Sequence, residues 1–223
     1  MLDHDRMSRG WRALAALVAL GFAATALPGD ASAHPHVWVT ARSQFAFDGD
    51  NVTAIRHSWT FDAAYSQYAT QGLDTNGDGK LDPSELADLA STNVEGLLEF
   101  DFFTTVKANG RSIPFTKATD SSMTFGDGVL TLHFTLPVEP PAPANKVLAV
   151  ELFDPTYFVS FLFAPGDDAA TVTGRQQACA ITIRRPEQRV FEDEELSEAF
   201  FNALTSASKL SQDFATRAIV ACP

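Results

Sequence analysis

Two segments near the start of the chain alternate apolar and polar residues with a period of two. Over residues 36–47, Val37, Val39, Ala41, Phe45 and Phe47 fall on one face and Trp38, Thr40, Arg42 and Gln44 on the other. Residues 52–61 repeat the pattern, with Ile55, His57, Trp59 and Phe61 on the apolar face. That period belongs to half-buried strands, and Asp48-Gly49-Asp50 between them reads as a hairpin turn. Keeping both apolar faces on one side requires an odd loop, because a slip of one residue turns every side chain over. A three-residue loop pairs Val37 with Phe61, Val39 with Trp59 and Ala41 with His57, and sets His36 opposite Asp62.

The period then lengthens to that of a helix. Phe61, Tyr65, Tyr68 and Leu73, followed by Leu86, Leu89 and Leu97, predict a helical unit over about residues 62–103. Strand patterns return at residues 105–108, 113–117, 122–125 and 129–136, and residues 137–143 read as a proline-rich linker. Residues 147–153 and 157–163 are strongly β-prone and are interrupted at Asp154-Pro155. One or two strands are expected over 170–184, an amphipathic helix around Leu196, Phe200, Phe201 and Leu204, and a last strand at 215–222. The fold class implied is mainly β with α insertions (α+β). It takes the form of an antiparallel sheet or sandwich with an inserted helix–loop–helix and a C-terminal helix.

Residues 1–33 read as a cleaved signal peptide rather than part of the domain. Arg6, Arg9 and Arg12 precede an apolar run over 13–27 and a small-residue ending, Ala31-Ser32-Ala33. The run is shorter than the roughly 20 residues of a membrane span, and no other segment reads as one. The mature chain, residues 34–223, is then one periplasmic domain. The formal net charge is −12 and is unchanged by cleavage, since the three arginines balance Asp3, Asp5 and Asp30. An acidic exported protein is a poor partner for nucleic acid or anionic lipid. Cys179 and Cys222 are the two cysteines, and in an oxidising compartment they are expected to form one disulfide.

Candidate chemistry is concentrated between the two helical segments. Residues 74–85 fit the twelve-residue EF-hand calcium loop position by position. Asp74, Asn76 and Asp78 supply side-chain oxygens, and Lys80 supplies its backbone carbonyl. Asp82 acts directly or through water, and Glu85 closes the shell with two oxygens. Gly79 takes the sharp turn at position 6, and Leu81 is the apolar anchor. Asp82, Pro83 and Glu85 also form a helix-start signature. No second such loop occurs, which points to a structural calcium ion rather than a cooperative sensor.

A second candidate site sits at the expected mature terminus. A free α-amine on His34, the His34 ring and the His36 ring suit Zn2+, Ni2+, Co2+ or Cu2+ rather than calcium. Pro35 lacks the amide N–H that the square-planar terminal copper and nickel motif requires. A brace-like site therefore needs a third ligand, His133 or Asp62. The alternative is a terminus whose histidines are incidental. His57, on an apolar strand face, reads as a core histidine. Glu151 and Asp154 are either a buried carboxylate pair or, as is commoner, partners for backbone groups. No nucleophile elbow, phosphate loop or dinucleotide fingerprint is present.

The segment Ala33-His34-Pro35-His36-Val37-Trp38-Val39, the segment Asp154-Pro155-Thr156-Tyr157-Phe158 and the ending Phe214-Ala215…Ala221-Cys222-Pro223 together resemble an uncharacterised bacterial family. Its members are labelled the periplasmic component of an ABC-type transport system. The resemblance spans the mature chain and implies a part in transition-metal handling, because members are commonly encoded beside nickel/cobalt-type exporters. It carries over no catalytic residues, and the calcium loop is a variable feature within the family. The expected function is a calcium-binding periplasmic accessory protein, not an enzyme, whose partners are membrane metal transporter or exporter components. Two alternatives stand beside it: a copper oxidoreductase using the His34 amine, and a partner-binding module stabilised by calcium.

Overall fold

β1 (Val37–Asp48) and β2 (Asn51–Phe61) form the hairpin that the alternation predicts, but the register differs from expectation by two residues. Val39 pairs with Phe61, Ala41 with Trp59 and Ser43 with His57. The turn is tighter than expected, with Asp48 opposite Asn51, and the register shifts at a bulge between Ala46 and Phe47. One extra residue at the bulge restores the parity that an odd loop would have supplied, so both apolar faces still point inward.

The computed structural model describes residues 36–175, 177–186 and 214–222. The expected signal segment at 1–33, His34 and the helix around Leu196–Leu204 lie outside them. Among the described residues, the strands form two sheets that share one hydrophobic core. The first sheet adds β6 (Val129–Pro143) beside β2, with β5 (Thr119–Gly126) at its edge. β8 (Val159–Phe163) and β9 (Ala170–Thr173) follow one another along the opposite edge of β1, and both run parallel to it. That corrects the antiparallel expectation. The chain reaches this edge by crossing from the other sheet, so no hairpin fixes the strand direction. The second sheet is antiparallel throughout, in the order β10 (Ala180–Arg184), β11 (Thr216–Ala221), β7 (Val147–Leu152), β3 (Thr104–Ala108) and β4 (Arg111–Ile113).

Two further expectations are corrected by proline chemistry. The supposed linker at 137–143 continues β6, and Pro137, Ala142 and Pro143 pair with β2. The ladder shifts between Val52 and Ala54, and an interrupted ladder tolerates residues that lack an N–H. The strand expected at 113–117 instead stops at Ile113, where Pro114 removes the next donor.

The helical unit packs on the first sheet. α1 (Ala63–Ala69) starts at Asp62, whose Oδ1 accepts the Tyr65 amide at 2.9 Å. Buried Ser66 donates to the Asp62 carbonyl at 2.6 Å and accepts the Leu130 amide of β6 at 2.9 Å. α2 (Ala87–Leu97) runs into a 3₁₀ segment, Leu98–Phe103. Asp82 and Glu85 cap the turn before α2 reciprocally, Asp82 Oδ1 taking the Glu85 amide at 3.1 Å and Glu85 Oε2 the Asp82 amide at 3.2 Å. The capping signature therefore holds, although regular helix begins only at Ala87.

His57 is buried where the sheets meet. Thr104 Oγ1 donates to the Phe102 carbonyl at 2.7 Å, so it accepts from His57 Nε2 at 3.4 Å, while Ser43 Oγ donates to His57 Nδ1 at 2.9 Å. Desolvation lowers this imidazole from its ordinary 6.5 to about 3. It is a neutral core histidine, as its strand face suggested.

Gly174 follows β9 with φ +76°, and a Cβ there would lie 1.9 Å from the Phe47 carbonyl oxygen at the hairpin bulge. Both atoms are backbone, so neither can swing away. Gly174→Ala should therefore cost at least about 2 kcal/mol in urea denaturation. Gly49→Ala, in open space at φ +57°, should cost less.

Candidate functional site

The acidic loop at residues 74–85 is folded around its own first residue. Asp74 Oδ1 accepts the amides of Gly77 at 2.8 Å and Asp78 at 3.2 Å, and Oδ2 accepts that of Gly79 at 2.9 Å. Asn76 Oδ1 takes the Asp78 amide and Asp78 Oδ1 the Lys80 amide, each at 2.8 Å. Gly79 has φ +79° with no atom within 4 Å of a notional Cβ, so glycine serves here for its backbone conformation, not for lack of room. The loop is exposed apart from half-buried Leu81 and Glu85.

Glu85 already spans the loop. Its Oε1 accepts the Thr75 amide at 2.8 Å, the Thr75 hydroxyl at 3.0 Å and the Asn76 amide at 3.4 Å. Position 12 thus stands against position 2, beside Asp74. Hydrogen bonds hold both end carboxylates below their usual range: at Asp82 the Ser84 hydroxyl contributes most, and at Glu85 the Asp82 amide. As donors, four carboxylates, an amide oxygen and a backbone carbonyl suit a hard divalent cation. The side-chain oxygens are engaged with the loop's own N–H groups, and among the described residues no three His, Cys, Asp or Glu side chains are grouped as a metal shell.

His36 and His133 are not brought together. His36 is exposed at the start of β1, its amide donates to the Phe158 carbonyl at 3.0 Å, and its ring lies 5.0 Å from that of Phe158. His133 pairs across β2 with Ser58, which pairs with Arg42. That puts His133 six residues along β1 from His36, roughly 20 Å by strand rise. Its ring accepts or donates to Ser58 Oγ at 2.9 Å and Thr124 Oγ1 at 3.2 Å, and burial lowers its pKa. Asp62 is not a free ligand either, because its Oδ2 accepts the Trp38 amide at 2.9 Å while Oδ1 caps α1. The two-residue register change moved Asp62 from His36 to Trp38.

The other candidates resolve simply. Cys179 and Cys222 form the expected disulfide, just beyond the Ala180–Ala221 pair of β10 and β11. Glu151 pairs with Arg217 of β11. Asp154 is 1% exposed and accepts the Thr156 amide and hydroxyl and the Val159 amide, organising the turn into β8. Each of the two carboxylates is thus engaged with its own partners.

A family model described as "Protein of unknown function (DUF1007)" matches residues 19–222. The chain belongs to the DUF1007 family. The motif resemblance led to an uncharacterised family, and the match is to one. The DUF1007 protein is also 29% identical over 90 residues to the "Uncharacterized 15.5 kDa protein in trpE 3'region" of Spirochaeta aurantia. The match covers 40% of this chain and 64% of that relative.

Sequence reasoning missed Thr75 of the loop and the capping role of Asp62. Thr75 holds Glu85 through both its amide and its hydroxyl, and position 2 of the loop pattern carries no signal for that. Asp62, offered beside His133 as an option for the third ligand, is instead a helix cap, which an Asp immediately before a helical period signals.

Proposed function

We propose that this DUF1007 protein is a periplasmic, calcium-binding accessory protein of a transition-metal transport system. The observation that carries the calcium reading is the single-EF-hand donor set of residues 74–85, with Gly79 at φ +79° and Glu85 reaching back to Thr75. Asp74, Asn76, Asp78 and Glu85 would present side-chain oxygens to the ion, Lys80 its carbonyl, and Asp82 an oxygen directly or through water. The ion would tie the end of the α1 segment to the start of α2 and so brace the helical unit on the first sheet.

Transition-metal handling rests on the His34-Pro35-His36 segment and on the motif resemblance. In this reading the metal ligands are the His34 amine and the two imidazoles, with His133 left out on grounds of distance. Calcium titration by calorimetry tests the first part: one ion per chain is expected, with Kd in the range of about 10⁻⁵–10⁻³ M. The second part is tested by adding one residue before His34, which displaces the amine but keeps both rings. That extension, or His36→Ala, should weaken Cu2+, Ni2+ or Zn2+ binding at least about tenfold, roughly 1.4 kcal/mol. Equal affinity in the native and extended proteins would contradict the amine chelate.

A further inference from the structure

Between α2 and the core face of the first sheet lies a cavity of about 420 Å³, within the roughly 300–1,000 Å³ of small-molecule sites. Its deepest wall includes Trp59, Phe161 and Leu132, all almost fully buried. Phe100 and Phe158 stand at its opening, 48% and 47% exposed. Contiguous exposed apolar surface at a concavity marks a ligand-binding or interaction site.

Two features distinguish this cavity from a packing defect. The Trp59 indole Nε1 is buried and has no hydrogen-bond partner among the described residues; a buried donor left unpaired is costly, and a ligand acceptor would satisfy it. The rim is also built on left-handed backbone. Asp101, Phe102 and Phe103 have φ of 51°, 55° and 46°, and Tyr157, beside Phe158, has 59°. Consecutive non-glycine residues in this region are strained and persist only where the surroundings impose them, as at ligand clamps. Here the left-handed run sends Phe102 into the core and lets Phe103 stack on Phe100 at 5.2 Å, both lining the opening.

The lining also defines the ligand. Among the described residues no Lys, Arg or His lines it, and Glu99 is the one lining residue with a carboxylate. Tyr65 stays neutral, since burial and then the Asp62 charge raise its pKa. An anion would find no counter-charge there.

We propose that this cavity binds an uncharged, largely apolar small molecule whose hydrogen-bond acceptor, a carbonyl or ether oxygen, takes the Trp59 Nε1–H. The site is independent of the calcium and transition-metal readings. The probe for a test is Prodan, a neutral naphthyl ketone whose emission reports polarity, titrated into the full exported chain. Saturable binding with blue-shifted emission is expected. Gly96 of α2 lines the opening with nothing within 4 Å of a notional Cβ, so Gly96→Phe should fold normally, block the opening and weaken Prodan at least tenfold. Trp59→Phe should weaken Prodan about three- to tenfold and leave N-phenyl-1-naphthylamine, which has no carbonyl, nearly unchanged. Absence of saturable binding, or equal binding by a folded Gly96→Phe protein, overturns the site. A Trp59→Phe protein that holds Prodan unchanged overturns the assignment of the indole as its donor.

Discussion

Reduced protein, or the Cys179→Ser/Cys222→Ser variant, should be less stable than the oxidised chain by about 4 kcal/mol in the chain-entropy model. The bond spans a sequence separation of 43 and joins the ends of β10 and β11 next to their Ala180–Ala221 pair. Breaking it leaves β11 held by its ladders to β10 and β7 and by packing of Ala218 and Val220 in the core. Urea denaturation should show the loss, and amide exchange in the reduced protein should quicken first in β11. A change below about 1 kcal/mol would mean that the bond closes a segment already ordered in the unfolded chain.

Mild acid should have an effect of similar size, carried by His57. The unfolded imidazole titrates near 6.5 and the folded one near 3. Between those values the unfolded chain binds a proton that the native chain refuses. Its contribution to stability is therefore complete above 6.5 and is lost as pH falls toward 3, at up to about 1.4 kcal/mol per unit. By pH 4.5 the loss should reach about 3 kcal/mol. The cause is burial against Trp59 and Phe134 with both ring nitrogens committed to Ser43 and Thr104. His57→Gln cannot titrate, so it should be less stable at neutral pH but lose less on acidification. Equal slopes between pH 6.5 and 4.5 would assign the acid sensitivity to carboxylates elsewhere.

Much of this was legible in the sequence because it depends on local periods. The faces of β1 and β2, the core position of His57 and the helix–loop–helix between Asp62 and Phe103 all follow from periods of two and 3.6. The disulfide followed from compartment and count. Tertiary features were not legible. The tighter turn and the Ala46/Phe47 bulge each moved the register by one, which separated His36 from Asp62 and gave Asp62 to Trp38 and Tyr65. The parallel placement of β8 and β9 depends on a crossover between sheets, which no local pattern encodes. The left-handed run at Asp101–Phe103 sits in a sequence with no glycine to announce it. Of the candidate sites, the acidic loop could be proposed from sequence because its oxygen-bearing residues are contiguous. The distance between His36 and His133 depended on which strands lie side by side.

The account stands most directly on calcium. Melting temperature should rise with added Ca2+, by an amount equivalent to roughly 2.7 kcal/mol at a hundred times Kd. Lys80→Ala should keep that increment, since only its carbonyl is used. Glu85→Ala loses two oxygens, and with them the Asp82 cap, so it should start lower and gain nothing from the ion. A melting temperature indifferent to calcium, or a full increment in Glu85→Ala, would contradict the calcium site.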